Sequence, residues 1–383
     1  MKRGPALWVL GALILAACAE PRANATPPED PGLALALRFE CNRCHALDGA
    51  PPPALDADCV GCHRAIADGS FDAPAEALRD WTPHVAPLAH APSLRGAGLR
   101  LRREWIEQFL LHPRDVRPGL VMTMPRLAMS EADAAALARW LAPSPAPDEP
   151  LDPSLVEVGR ALYRAHRCAR CHAFDGSGEE AEALDPLAPD LRHARARMPA
   201  AAIVAQIRAP RSVAPDGAMP ALVSDDAQAR ALAAFVRHAP LSAPAAAPPA
   251  PRLPLLERPV AFAEVEARVF SRACWHCHSD PDFARGDGGP GNRGGFGFAG
   301  RGVDLSSYEG IQSGGLGADG VRASLFAPGP SGAPRLVETL LARALEERGG
   351  AVPGVRGMPL GLPALSAEDV QLVETWIAQG RPR

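Results

Sequence analysis

The amino-acid sequence predicts an all-α fold of three tandem helical domains joined by proline-rich linkers. Three segments, 33–141, 154–239 and 260–383, each place an apolar stretch before a Cys-x-x-Cys-His motif and close with an amphipathic helical pattern. Proline marks the boundaries between them. The linker at 142–153 and the Pro/Ala-rich linker at 240–259 are expected to be extended, semi-rigid spacers.

The three closing helices are predicted from one shared pattern: Met-Pro, then a serine, then an acidic first turn and a late aromatic residue. A serine hydroxyl accepts an unpaired backbone N–H at a helix start, and carboxylates suit the positive end of the helix. The three patterns are Met124-Pro125, Ser130 and EADAAALARWL with Trp140; Met219-Pro220, Ser224 and DDAQARALAAFV with Phe235; and Met358-Pro359, Ser366 and AEDVQLVETWI with Trp376.

Four Cys-x-x-Cys-His motifs use eight of the nine cysteines. This spacing attaches c-type haem: the two thiols form thioethers with the haem vinyl groups, and the imidazole of the following histidine binds the iron. We therefore expect four covalently bound haem c groups. The motifs are Cys41, Cys44 and His45; Cys59, Cys62 and His63; Cys168, Cys171 and His172; and Cys274, Cys277 and His278.

Two other interpretations of these cysteines are open. The first two motifs together could form a zinc or iron–sulfur site, because paired Cys-x-x-Cys is also a metal pattern. An exported chain could instead oxidise its cysteines into a disulfide framework. Neither alternative explains why a histidine directly follows the second cysteine in all four motifs, so haem attachment is favoured.

The N-terminus predicts export. Lys2 and Arg3 precede an apolar run at 6–17 that is too short to span a bilayer, which is the pattern of a signal peptide covering residues 1–17. The run ends in Leu-Ala-Ala-Cys and resembles a bacterial lipobox, which implies lipidation of Cys18 and a tether at 18–32. An ordinary signal-peptidase site that happens to contain a cysteine is the alternative. By the same resemblance, Ala19 favours outer-membrane over inner-membrane anchoring, with the domains in the periplasm.

The three segments resemble class I cytochrome c domains. In that family an N-terminal helix crosses the C-terminal helix, where a glycine or aromatic residue meets an aromatic one. The resemblance implies that Gly159 and Tyr163 meet Phe235, and that Val269 and Phe270 meet Trp376. The first segment offers only a shortened helix at 33–39.

Two departures from that family pattern stand out. The motif at 59–63 follows His45 closely, which indicates an insertion that makes 33–141 a dihaem domain. The third domain carries a Gly-rich insertion at 286–302, GDGGPGNRGGFGFAGRG, which lacks the Gly-Lys-Ser/Thr ending of a phosphate-binding loop. A surface loop is expected there, with a partner-docking or haem-covering loop as the alternative.

Methionine sulfur is a soft sixth ligand that raises the potential of haem iron, whereas a second imidazole lowers it. The matched Met-Pro positions predict Met124 as sixth ligand for the His45 site, Met219 for the His172 site and Met358 for the His278 site. The competing methionines are Met122 and Met129 beside Met124, and Met198 before Met219.

The His63 site has no Met-Pro of its own. Residues 82–90 are expected to form a loop over its haem, which makes His90 the favoured sixth ligand and His84 the alternative. His112, at a predicted helix end, is a third candidate, and a plain surface histidine is the competing interpretation of each. The remaining histidines are not expected to be axial: His166, His193, His238 and His276.

These features predict a multihaem cytochrome that carries electrons between periplasmic or membrane redox partners, alone or as a subunit of a larger oxidoreductase. The alternative is a haem enzyme, peroxidase-like or a small-oxyanion reductase, with an open iron at the second haem. The net charge is -4 and no basic patch indicates nucleic-acid binding. No catalytic triad or nucleotide-binding loop indicates catalysis away from haem.

Overall fold

The structure is a computed structural model that describes residues 30–53, 58–120, 124–127, 129–144, 147–178, 185–215, 217–242, 251–279, 302–317, 320–348 and 350–383. The predicted signal peptide, Cys18 and nearly all of the tether lie outside the described residues. So do Met122 and all but the last residue of the Gly-rich insertion.

The described chain is mainly helical, as predicted. Its α-helices are α1 Pro31–Arg38, α2 Cys59–Ala67, α3 Ala75–Ala89, α4 Arg103–Leu111, α5 Glu131–Leu141, α6 Val156–Ala165, α7 Ala194–Arg197, α8 Ala200–Arg208, α9 Pro210–Val213, α10 Asp226–His238, α11 Phe262–Val265, α12 Tyr308–Ser313, α13 Arg335–Glu346 and α14 Ala367–Ala378. A π-helical segment at Glu266–Cys274 leads into the fourth motif. Two short strands, β1 Gly315–Leu316 and β2 Arg322–Ala323, pair antiparallel. Within the described ranges, no helix has both the length and the apolar character needed to cross a bilayer.

The apolar side chains form three separate clusters, one in each of the three segments. The first cluster packs α1, α4 and α5 together. The second packs α6, α8 and α10. The third packs α11, the π-helical segment, α13 and α14. Because a helix must bury its apolar face against another element, each segment has its own hydrophobic core.

The predicted helix crossings are present. A side chain on Gly159 of α6 would overlap the Ala231 carbonyl oxygen and the Phe235 side chain of α10, so the two backbones approach as only glycine allows. The Tyr163 and Phe235 rings lie 5.5 Å apart in an edge-to-face arrangement. In the third cluster, Phe270 and Trp376 lie 6.2 Å apart.

The first segment has the same crossing, which the sequence pattern does not predict. Gly32, the last residue of the predicted tether, packs directly under Trp140. The helix α1 begins at Pro31 because Asp30 caps it: the Gly32 N–H donates to the Asp30 carboxylate at 2.7 Å. An aspartate followed by proline is a helix-start signal that could have moved this boundary.

Two of the three predicted helix starts are confirmed and one is wrong. Ser130 forms a reciprocal capping box with Asp133, and Ser366 accepts from the Asp369 N–H. Ser224 does not cap α10. Asp225 does so instead, accepting from the Gln228 N–H at 2.8 Å, because a carboxylate one residue later makes the same bond and adds favourable charge.

The predicted loop at 82–90 is wrong, since residues through Ala89 belong to α3. Pro83 and Pro87 indicated a loop because proline removes a helical hydrogen bond. Packing against α2 overrides this cost. Arg64 of α2 donates to the carbonyl oxygens of Ala89 at 2.8 Å and Ala91 at 3.2 Å, which stabilises the C-terminal end of α3.

The described parts of both linkers are extended, but they pack against the helical segments rather than acting as free spacers. Asp148 receives hydrogen bonds from Arg102 at 2.5 Å and from Arg237 at 3.1 Å. In the second linker, the Leu256 N–H donates to the Thr375 hydroxyl at 3.0 Å on α14. The linkers therefore help to fix the segments that they join.

Candidate haem-binding sites

Three of the four motifs close a tight turn on their first cysteine. The histidine N–H donates to the carbonyl of that cysteine in the first, third and fourth motifs, at 2.9, 3.0 and 2.8 Å. The first and third motifs share a short 3₁₀ turn entered through a left-handed residue, Glu40 (φ 53) and Arg167 (φ 54). The second motif instead opens α2, where Asp58 accepts from the Gly61 N–H at 2.8 Å.

The motif histidines are oriented by backbone carbonyl groups. Nδ1 of His45 lies 2.7 Å from the Pro92 oxygen, Nδ1 of His172 lies 2.8 Å from the Pro189 oxygen, and Nδ1 of His63 lies 3.2 Å from the Val85 oxygen. A carbonyl at Nδ1 holds the proton there and leaves the Nε2 lone pair for a metal. This is the tautomer that haem iron requires of a proximal histidine.

Burial lowers the pKa of His45, His172 and His278, so these imidazoles stay neutral and available for coordination. For His172 and His278 nearby groups oppose the shift: the Pro189 and Val303 carbonyls, and the aspartates beside each ring. Nδ1 of His278 is buried and makes no hydrogen bond of normal geometry within the described chain, and weak hydrogen bonding of the ring to the Val303 carbonyl partly offsets the burial that lowers its pKa.

All eight motif cysteines are free thiols, so the disulfide alternative finds no support in the described residues. Nor do His, Cys, Asp and Glu side chains group in threes or more as a ready-made metal site anywhere in the described ranges, which leaves the zinc alternative without an arranged ligand set. Burial raises the pKa of Cys41 and of Cys168 to about 11. Paired thiols beside a neutral, carbonyl-oriented histidine fit covalent haem c.

The first, second and fourth motifs converge. The thiols of Cys44 and Cys59 share a hydrogen bond, which raises the pKa of Cys44 and lowers that of Cys59. Arg43 interacts electrostatically with both Cys59 and Cys277. The His63 and His276 rings are nearly perpendicular, with centroids 5.8 Å apart. Two motifs of the first segment therefore lie beside the motif of the third.

A cavity of about 320 Å³ lies between the first two motifs. Its walls include Cys44 and His45 from the first motif, and Val60 and Gly61 from the second, with Arg64 of α2 also contributing. The lining is mainly apolar and carries three arginines against one carboxylate, Asp58. Such a lining suits a flat apolar ring system that carries carboxylates at its edge.

The charges of Arg100 and Arg117 act on both His45 and Arg197, and Asp115 partly offsets the charge of Arg117. Burial, and then the charges of Arg100 and Arg117, lower the pKa of Arg197 to about 10. The Nε of Arg197 is buried and makes no hydrogen bond in the described chain, while its Cζ lies 5.4 Å from the Trp105 ring centroid. Haem propionates next to His45 would add negative charge beside these arginines.

The predicted methionine ligands occupy different settings. Met358 sits on a loop fixed by α13: its N–H donates to the Thr339 oxygen at 3.0 Å, and Arg343 holds the Leu362 carbonyl at 2.7 Å. Met124 packs at the edge of the first cluster, as does its rival Met129. The loops of Met124 and Met358 adjoin, because Pro125 Cδ lies 3.6 Å from where a Cβ of Gly361 would stand.

In the second segment the two competing methionines are now distinguishable. Met198 packs against the second hydrophobic cluster, where a methionine fills core space. Met219 lies outside that cluster, and its sulfur accepts from Gln206 Nε2 at 3.7 Å. The assignment of Met219 rather than Met198 to the His172 site stays a prediction.

The predicted histidine partners of His63 lie on α3 or at the ends of α3 and α4. His90 lies exposed at the C-terminal end of α3, with its carbonyl accepting from Arg117 at 3.0 Å. Burial, then Arg117 and Arg64, lower the pKa of His90. His84 lies on α3, and its side chain is outside what the structure describes. His112 follows the end of α4, as predicted.

One family matches part of this chain. Residues 154–236 match the family described as cytochrome C oxidase, cbb3-type, subunit III. No curated protein and no solved structure matches the chain significantly. The match covers the third motif, α6 and α10, and it supports a c-type cytochrome domain with covalently bound haem c and a role in haem-based electron transfer.

Proposed function

We propose that the protein is a tetrahaem c-type cytochrome built from three tandem cytochrome c-like domains, and that it carries electrons between redox partner proteins. The main support is that three Cys-x-x-Cys-His motifs lie together, joined by the contacts Cys44–Cys59 and His63–His276. Haem c, when bound, supplies a one-electron centre at each motif. Neighbouring motifs place such centres side by side, which is the arrangement that a carrier needs.

The third motif is connected to this group through the first segment. The Asp190 N–H donates to the Val116 oxygen at 2.8 Å, and the Arg102 N–H donates to the Arg197 oxygen at 2.9 Å. The loop that contains Asp190 also holds Pro189, whose carbonyl orients His172. The backbone that positions the third haem-binding histidine is thus bonded to the first segment.

A redox titration followed by magnetic circular dichroism tests the proposal on the mature protein. It counts the haems and classifies the axial pair of each one. We expect four one-electron centres, three with histidine–methionine and one with bis-histidine ligation. Fewer than four covalent haems in a fully matured sample would contradict the tetrahaem assignment.

The sixth-ligand proposal for the second segment is tested by Met219→His. The variant should keep four haems, lower one potential and lose part of the thioether–iron absorption band, because imidazole stabilises ferric iron relative to thioether. Met198→His is the matched comparison, and should affect stability through the second cluster without altering that band. A band lost only in Met198→His would reverse the assignment.

The proposed location is the periplasm, with the chain anchored to the outer membrane through lipid on Cys18. The support is the sequence pattern before Cys18, a residue outside the described part of the chain. Cys18→Ser should abolish incorporation of labelled lipid and release the protein into the soluble periplasmic fraction. Unmutated protein that is soluble and unlipidated would contradict the anchor.

A carrier whose irons are all six-coordinate should bind substrates poorly. We expect the reduced protein to bind much less than one carbon monoxide per chain and to show negligible peroxide or nitrite turnover. Carbon monoxide titration and turnover assays check this directly. Stoichiometric carbon monoxide binding, with peroxide turnover lost in His63 variants, would instead support the haem-enzyme alternative.

A further inference from the structure

The second motif meets the fourth at two histidine rings. His63 is buried on α2 of the first segment, and His276 occupies the variable part of the fourth motif, between Trp275 and Cys277. Their ring centroids are 5.8 Å apart and their planes are inclined by 85°. The other three motifs carry no histidine between their cysteines, so this arrangement is particular to the fourth.

The orientation of His63 is set by its own hydrogen bond. Its Nδ1 lies 3.2 Å from the Val85 oxygen of α3, so Nε2 is the nitrogen left for iron. Haem attached to Cys59 and Cys62 would be bound at its iron by this nitrogen. A sixth ligand must then approach from the far face of that haem, and the sequence alone supplied no convincing residue for it.

His276 is held in place by the fold of the third segment. The Trp275 indole N–H donates to the Leu305 oxygen at 2.8 Å, and its ring is buried in the third cluster. The Cys277 N–H donates to the Cys274 oxygen at 3.2 Å. With residues on both sides fixed, the ring is presented to the first segment. The distance of 5.8 Å between the two ring centroids places His276 beside the second motif.

We infer that His276 is the sixth ligand of the iron bound by His63, so that the third segment completes a haem site of the first. Two imidazoles on opposite sides of one metal ion, with each nitrogen about 2.0–2.1 Å from it, have ring centroids roughly 6 Å apart. The observed 5.8 Å matches that separation. Each ring can rotate about its metal–nitrogen bond, so inclined ring planes are compatible with shared coordination.

Direct edge-to-face packing of the two rings is the competing explanation, since such pairs also have centroids 4.5–7 Å apart. The two explanations differ in their spectroscopic consequences. Shared coordination gives one low-potential bis-histidine haem. It also fills the sixth position of the His63 site, for which no methionine is predicted. Ring packing leaves the sixth position to another residue or leaves it open. The inference rests on the proposed function, because it requires haem at the second motif.

The experiment uses the full-length, haem-loaded protein and its variants His276→Ala and His276→Met. Haem content is measured by mass spectrometry, axial ligation by near-infrared magnetic circular dichroism, and open sites by carbon monoxide titration of the reduced protein. We expect His276→Ala to keep four haems, lose the single bis-histidine signature and gain one carbon monoxide site per chain. His276→Met should keep four haems, replace that signature with a histidine–methionine one and bind no carbon monoxide.

The matched control is His166→Ala, which removes a histidine of the second segment and should leave ligation and carbon monoxide binding unchanged. An unchanged bis-histidine signature in both His276 variants would overturn the inference, as would loss of that signature in His90→Ala. Either result with four haems present leaves the proposed function intact. Absence of haem from Cys59 and Cys62 in the unmutated protein would contradict both.

Discussion

Replacing Cys59 and Cys62 together with alanine should remove one haem and slow electron exchange far more than the loss of one centre in four would suggest. The second motif touches the first through Cys44 and Cys59, and the fourth through His63 and His276. Removing its haem would take out the centre that lies between two others. Haem content by mass spectrometry should fall from four to three, and stopped-flow reduction should become multiphasic.

The matched variant is Cys168→Ala with Cys171→Ala. It also removes one haem, but from the second segment, and it should leave exchange among the other three haems nearly unchanged. If both double variants slowed electron exchange equally, the close approach of the first, second and fourth motifs would not matter for electron transfer. Four haems retained in either variant would contradict the attachment assignment itself.

Gly159→Val should strongly destabilise the second segment. A β-carbon there overlaps the Ala231 carbonyl oxygen and the Phe235 side chain, so α6 and α10 would have to separate. Because backbone cannot yield as a flexible side chain does, we expect a cost of about 3 kcal/mol, at the upper end for overpacking. Calorimetry should show one transition of the protein lowered by roughly 10 °C or more.

Val158→Ala is the control on the same helix, because Val158 is 52% exposed. A surface substitution of this kind should change stability by no more than about 0.5 kcal/mol. If Gly159→Val melted at the same temperature as the unmutated protein, the close crossing of α6 and α10 would be wrong. Because the protein has several hydrophobic cores, each transition has to be fitted separately.

The elements that local chemistry decides were predictable from the sequence. The extent of α5, Glu131–Leu141, follows from Ser130 and its capping box, and α14 follows from Ser366 in the same way. The contact of Gly159 and Tyr163 with Phe235 followed from a family resemblance and is confirmed. The fixed Cys-x-x-Cys-His spacing likewise predicts haem attachment at the four motifs without any knowledge of the fold.

Features that depend on packing between elements were not predictable. Proline at 83 and 87 indicated a loop, yet Arg64 and the contacts with α2 hold these residues in α3. The proximity of His276 to His63 joins residues of the first and third segments, and no local pattern reports such a contact. The buried group of Arg100, Arg117 and Arg197 is a third case, since it assembles from two segments.

The order of the motifs along the chain differs from their order in space, and this has a consequence for biogenesis. The second motif meets the fourth, which belongs to a segment that is synthesised after the first. Chains generally fold from the N-terminus during synthesis. The surface of the first segment around His63 is therefore exposed to solvent until the third segment has folded. A product truncated after residue 242 would keep that face permanently exposed. The first segment would therefore be covered around His63 only after the third segment has packed against it.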